Sequence, residues 1–226
     1  MYDNIYNIYD NLHSTKDYSK EVDFLVSLFG NGDKRILDVG CGTGTHAIKL
    51  SELNHTVVGI DPSSKMVDAA NSKITNNNIS FYNCLIDDYD DDSFDVIISM
   101  FNVVNHVLTL KELNSYFNNI SRLLKPKGVL IFDCFNLIAV IKDKPKTKER
   151  NGIKVTSIFD PFTATLTMEE FCDDYNYVLK QKIWSPNILS EILLENNIKI
   201  NKIFKYHTHE SASEDDYKIT FFNNKF

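Results

Sequence analysis

The sequence predicts an α/β fold built on a mostly parallel sheet, and three observations carry that expectation. From residue 35 to about residue 132, short apolar runs alternate with segments of helical periodicity. Each run closes on a turn signal. A glycine-rich turn joins the first run to the helix behind it.

Arg35 to Val39 reads as a buried strand, and the helix after the glycine turn runs from near Thr45 to about Leu53. Thr56 to Ile60 is a second strand ending at Asp61-Pro62, with Ser63 placed to cap the following helix and Met66, Val67 and Ala70 at helical spacing behind it. Ile79 to Tyr82 and Phe94 to Ser99 give the third and fourth strands. A helix from about Leu110 to Leu124 stops at Lys125-Pro126-Lys127-Gly128, and Val129 to Phe132 is the fifth strand. This rhythm implies parallel strands with right-handed crossovers.

The two ends of the chain differ from this core. Residues 1–30 read as an N-terminal helical cap ending at the Gly30-Asn31-Gly32-Asp33 turn, and 31–135 as the ligand-binding core. Residues 150–184 alternate in polarity and suggest an antiparallel β insert or lid. Residues 185–226, a helix and two strands, complete the sheet of one domain spanning 1–226. The run Lys142, Lys144, Lys146, Lys148, Arg150 reads as a solvated loop, with contact to a phosphate as the sharper alternative.

Composition narrows the function. The 226 residues are 43% hydrophobic and 24% charged, and no apolar run approaches the roughly 20 residues that cross a bilayer. With no signal-peptide pattern at the start, the chain is expected in the cytoplasm. A net charge of −7 disfavours a nucleic-acid partner, and a small-molecule acceptor is expected instead. The composition is compatible with a homodimer. Cys41, Cys84, Cys134 and Cys172 form no C-x-x-C pair, so neither zinc nor disulfides are expected, and no metal site is predicted. His207 and His209 read as surface residues and His46 as structural.

The chemistry concentrates in Ile36-Leu37-Asp38-Val39-Gly40-Cys41-Gly42-Thr43-Gly44-Thr45. Glycines after a buried strand let backbone approach a ligand closely. Asp61, about 20 residues on, is placed to accept hydrogen bonds from both hydroxyls of an adenosine ribose. The segment Gly42 to Ala47 also fits the dinucleotide pattern G-x-G-x-x-A, which would make the chain an NAD-dependent oxidoreductase. That register sits two residues late, and Asp38 would repel a pyrophosphate. The same carboxylate suits an ammonium.

These residues resemble the glycine motif and acidic sequel of the class I S-adenosylmethionine-dependent methyltransferases, from Ile36 to Ala70, and the likeness stays specific to about residue 135. The resemblance implies a Rossmann-like seven-stranded sheet, mostly parallel with one reversed edge strand, and S-adenosyl-L-methionine as cofactor with S-adenosyl-L-homocysteine as product. It implies that Asp38, Gly40, Cys41, Gly42 and Gly44 surround the methionine part, that Asp61 holds the ribose and that Met66 lies near adenine. Cys84 stands where the family often has an acid reaching the adenine, leaving Leu85 and Ile86 to serve through their backbones.

A narrower likeness, through Tyr2, Tyr9-Asp10 and Met100 to His106, is to N,N-dimethyltransferases of nucleotide-linked amino sugars. It implies Tyr9 and Met100 at the cofactor and Tyr2 or Tyr6 at the acceptor, beside Asn102 and Phe135. His106 is then the candidate to orient the nucleophile or take its proton. Oxygen methylation of a sugar or other small metabolite is the nearest alternative. A domain that binds the cofactor only to regulate a partner is a third reading.

Overall fold

The computed structural model describes residues 6, 9–10, 13–30, 32–91, 93–143, 145–150, 153–172 and 175–225. The elements in chain order are α1 (Tyr18–Phe29), β1 (Arg35–Val39), α2 (Thr45–Glu52), β2 (Thr56–Asp61), α3 (Ser64–Asn71), β3 (Ile79–Asn83), β4 (Phe94–Ser99), α4 (Leu110–Leu123), β5 (Leu124–Phe135), α5 (Leu137–Lys142), β6 (Lys146–Arg150), β7 (Ile153–Asp160), β8 (Thr165–Cys172), β9 (Tyr175–Lys182), α6 (Pro186–Glu195), β10 (Ile198–Lys205) and β11 (Lys218–Lys225).

Seven strands form one sheet in the order β10-β11-β5-β4-β1-β2-β3. The strands from β5 to β3 are mutually parallel. The reversed strand is β11, next to the edge, antiparallel to both β5 and β10. Alternation along the strands splits the core into two layers. Ile36, Val57, Ile98 and Ile131 pack with Val22 and Leu25 of α1 and Ala47 and Leu50 of α2. Leu37, Val58, Ile97 and Phe132 pack instead with Phe117 and Ile120 of α4 and Leu189 and Leu193 of α6. No helix among the described residues is long and apolar enough to cross a membrane.

The helices begin where the sequence supplies caps. The Ser63 side chain accepts from the Met66 amide at 3.2 Å at the start of α3. Thr109 and Glu112 form a reciprocal capping box on α4. Asp17 caps α1, so the expected helical opening is interrupted by turns at residues 13–16.

The four strands β6 to β9 make a second, antiparallel sheet. It begins earlier than the expected 150, because Lys146–Arg150 is a strand and not a solvated loop. Its alternating Lys-x-Lys-x-Arg pattern suits an edge strand, where charge discourages pairing with another chain. Residues from every strand of this sheet line up across one face: Lys148, Val155, Glu170 and Tyr177 in one row, and Lys146, Ser157, Met168 and Leu179 in the next.

Candidate active site

The carboxyl ends of β1, β2 and β4 converge on the glycine turn. Gly40 has φ +73°, and a Cβ there would meet Val103 at 2.6 Å. Gly42 has φ +54°, yet a Cβ there would meet nothing within 4 Å, so the turn is open on the side where a ligand would lie. Two amides, Gly40 and Cys41, donate to the Ile60 carbonyl at 2.8 and 3.0 Å and fasten the turn to the end of β2.

Asp61 completes that fastening. Its Oδ2 accepts from the Gly42 amide at 2.9 Å and its Oδ1 from the Ser63 amide at 2.9 Å. A carboxylate oxygen can accept more than one hydrogen bond, so the same group is chemically suited to a ribose hydroxyl. The carboxylate therefore points at the glycine turn and not into solvent.

Asp38 is 2% exposed, and its Oδ2 is buried without a hydrogen-bond partner. Burial, and after it the neighbouring Asp61 charge, push its carboxyl up to about 7, against the opposing pull of Lys16. A buried carboxylate oxygen with no donor is costly unless a ligand supplies one. An ammonium does so. A pyrophosphate would add negative charge beside a group that already resists ionisation. These residues fit the cofactor the sequence implies.

Space for the rest of it is present. A cavity of about 340 Å³ is lined by Gly40, Ile60, Pro62, Cys84, Leu85, Ile86, Val103 and His106. A narrow cleft of about 30 Å³ joins Asp38, Gly40, Cys41, Gly42, Met100, Phe101 and Tyr9. Lys16 also lines that cleft; its Nζ is 2.9 Å from Glu21 Oε2 and lies over the Phe101 ring at 4.1 Å. Burial raises the Cys41 and Cys84 thiols, keeping both neutral.

A third cavity, about 430 Å³, lies between the lined face of the insert and the sheet crevice. Tyr9, Phe101, Asn102 and Phe135 come from the core side, and Lys146, Lys148, Ser157, Glu170, Tyr177 and Gln181 from the insert. Insert and core are held in register by three consecutive links. Asn105 Nδ2 donates to the Lys182 carbonyl at 2.7 Å, His106 Nε2 is 3.2 Å from Gln181 Nε2, and Trp184 Nε1 donates to the Val107 carbonyl at 3.0 Å.

The structure thus brings Tyr9, Asn102 and Phe135 to the larger cavity, and Cys84, Leu85, Ile86 and His106 to the smaller one. Met66 and Tyr6 line neither. Met66 packs under Tyr177 and Leu179 of β9, with Tyr6 and Tyr9 against the same cluster. Gly44 starts α2 at φ +81° and is tight against Phe81 and Ala70, a packing position. Tyr2 falls outside the described residues.

Several participants carried no motif. Asp133 accepts from the Phe101 and Asn102 amides at 2.8 and 2.5 Å, holding two consecutive residues with φ of +72° and +63°. His207 is not a surface residue: its ring lies 3.0 Å from Glu21 and 3.5 Å from Asp133, with 8% of the side chain exposed. Glu21 in turn lies 2.8 Å from His46. Burial opposes the charge on Glu21, but His207 and His46 outweigh it and hold its carboxyl far below the usual range. His207 is raised, since Asp133 and Glu21 overcome the effect of burial. Asp10 bonds Thr43 Oγ1 at 2.5 Å and also Lys73, clasping the N-terminal segment over the glycine turn.

Known proteins resemble this chain in sequence and in fold. A family model described as a methyltransferase domain matches residues 36–128. YqeM of Bacillus subtilis, named as a methyltransferase, is 32% identical over 137 residues, which are 59% of this chain and 55% of that protein. The chain spans about half the length of that relative. A ubiquinone biosynthesis O-methyltransferase of Rickettsia bellii is 28% identical over 84% of this chain and 74% of its own.

Among solved structures, an S-adenosylmethionine-dependent methyltransferase from Clostridium acetobutylicum superposes with a TM-score of 0.83 at 20% identity, covering 99% of this chain and 98% of that one. CalS10, an amino pentose methyltransferase from Micromonospora echinaspora solved with S-adenosylmethionine bound, does so with a TM-score of 0.71 at 16% identity over 95% and 92%. Residues 36–128 thus match a methyltransferase domain, and the whole chain has the fold of S-adenosylmethionine-dependent methyltransferases.

Proposed function

We propose that this chain transfers a methyl group from S-adenosylmethionine to a small polar metabolite in the cytoplasm, and that the acceptor is the amine of a nucleotide-linked sugar. One observation carries the reading: a buried, unpartnered carboxylate oxygen on Asp38 sits beneath an open glycine turn. Asp38 would hold the ammonium, Asp61 the ribose, and Ile60, Pro62, Cys84, Leu85 and Ile86 the adenine side. When bound, the sulfonium supplies an already activated methyl, so the protein must mainly align the nucleophile and exclude water.

The larger cavity suits the acceptor. Lys146, Lys148 and Lys218 line it together with Glu149 and Glu170, a mixture that matches a molecule with an anionic carrier and a basic group. His106 favours nitrogen as the nucleophile. Burial pushes its imidazole down to about 4, so it is neutral and weakly basic at physiological pH. An amine attacks without a base, whereas an alcohol needs one. Oxygen methylation is the second reading, favoured by the likeness to the Rickettsia bellii enzyme.

Calorimetric titration with S-adenosylmethionine and with NAD tests the first step. Binding of the former alone is the expected result, and binding of NAD alone would reverse the assignment. Turnover on a panel of nucleotide amino sugars, their hydroxyl analogues and phenolic acceptors then decides between nitrogen and oxygen. Cofactor binding without turnover on any of them would favour a regulatory domain.

A further inference from the structure

Resting on the methyl-transfer reading above, we infer that Gln181 and Asn102 form a two-oxygen fork that holds both N–H bonds of a primary amine acceptor, with His106 as the residue that positions Gln181. Gln181 was not among the residues the sequence motifs single out. It lies near the end of β9, is 2% exposed and still lines the 430 Å³ cavity.

The side-chain amide of Gln181 is fixed from one end. Its Nε2 is 3.2 Å from His106 Nε2. An amide nitrogen only donates, so the imidazole Nε2 is the acceptor and the ring carries its proton on Nδ1. That engagement occupies the lone pair with which His106 would have taken a substrate proton. The next residue, Lys182, is held through its carbonyl by Asn105, so the strand cannot slide and carry Gln181 away.

What remains is Gln181 Oε1, buried and without a partner. Asn102 Oδ1 is in the same condition on the core side of the same cavity. Asn102 reaches its place through a left-handed backbone that Asp133 stabilises, a local strain of the kind that marks functional positions. Two buried oxygens without donors thus belong to residues that line one cavity, and a ligand carrying two N–H donors would satisfy both.

A primary amine fits this fork. Two N–H bonds meet two oxygens, and the lone pair is left free to attack. In the transfer, the nitrogen lone pair forms the new N–C bond, the C–S bonding pair returns to sulfur as the neutral thioether, and the product ammonium releases one N–H proton to bulk water. An alcohol satisfies only one oxygen. A monomethylated amine also keeps only one N–H, so a second transfer is slower than the first, and a dimethylated amine satisfies neither oxygen and departs.

The test uses the whole chain saturated with S-adenosylhomocysteine, with UDP-glucosamine and UDP-glucose as a matched pair differing in an amine for a hydroxyl. In 15N spectra of histidine-labelled protein, the His106 ring is expected with its proton on Nδ1; a proton on Nε2 would overturn the inference by turning the amide the other way. UDP-glucosamine should bind about tenfold more tightly than UDP-glucose, the scale of one well-made hydrogen bond. Gln181→Leu should abolish that preference, Gln181→Glu should retain it by keeping an acceptor oxygen, and His106→Ala should weaken it without adding to the loss in Gln181→Leu. Equal binding of the two sugars to the wild type, no binding of either, or a preference unaltered by Gln181→Leu would each overturn it. Failure to bind S-adenosylhomocysteine at all would instead remove the methyl-transfer reading on which it rests.

Discussion

The proposed cofactor side and the proposed acceptor side of this molecule are assembled in opposite ways. The first is local: Asp38, the glycine turn and Asp61 fall within 24 residues, on adjacent parallel strands paired Asp38 to Gly59 and Val39 to Ile60. The acceptor cavity gathers Tyr9, Asn102, Phe135, Lys148, Tyr177, Gln181 and Lys218 from far apart in the chain. The cofactor side is held by backbone donors to one carboxylate. The acceptor side is held by a few side-chain links between two sheets. A fixed ligand can be met by a fixed turn, while a variable acceptor calls for a separable wall.

The largest expected effect breaks the first side. Asp61→Ala removes the acceptor for the Gly42 and Ser63 amides as well as the proposed ribose contact, and should weaken S-adenosylmethionine binding on the order of 100-fold by calorimetry. Unchanged affinity would take Asp61 out of the site.

A smaller effect should fall on the second side alone. Asn105→Ala frees the Lys182 carbonyl and leaves the Phe135 amide without its acceptor, costing about 1–3 kcal/mol of stability. Acceptor binding should weaken while cofactor affinity holds. Equal loss on both sides would mean the two are not separable.

The smallest effect lies in the buried ion chain that joins α1 to the loop after β4. The Glu21 carboxyl is lowered on folding, so its stabilisation is present above the ordinary carboxylate range and fades as pH falls. His207 is raised, so its share is full below about 6.5, the ordinary histidine value, and is lost as pH climbs through the folded value. Thermal melting should therefore show the His207→Gln variant closest to wild type at alkaline pH and most deficient near pH 6, by about 1 kcal/mol. A pH-independent deficit would show that packing, not charge, is what His207 contributes.

The sequence makes the parallel core legible because each strand alternates between two apolar layers and each helix carries its own cap, as at Ser63 and Thr109. The candidate cofactor residues stand out in the sequence for a related reason, since a glycine turn between two aspartates is a short-range pattern. Lys146–Arg150 is harder: lysines at alternate positions read equally as a loop, and only pairing with Ile153–Ser157 makes them a strand. Gln181 and His207 carry no local signal at all. Gln181 is placed by contact with His106, 75 residues away, and His207 by Glu21 and Asp133, which arrive on either side of it. The Met66 position shows the same limit, since its buried neighbours Tyr177 and Leu179 belong to the distant insert.

Asp38 offers the most direct test of the cofactor cradle. With its carboxyl at about 7, the free protein carries a proton there below that pH, and an incoming ammonium should expel it. Titration of S-adenosylmethionine into wild type and Asp38→Asn, at pH 6 and pH 8 in buffers of different ionisation enthalpy, reads this out. The wild type should bind several-fold more weakly at pH 6 and release a proton there, while Asp38→Asn should bind weakly at both pH values with no proton released from this site. Wild-type binding that is equally tight at both pH values, or an asparagine variant that binds as well as the wild type, would contradict the claim that this carboxylate receives the cofactor's ammonium.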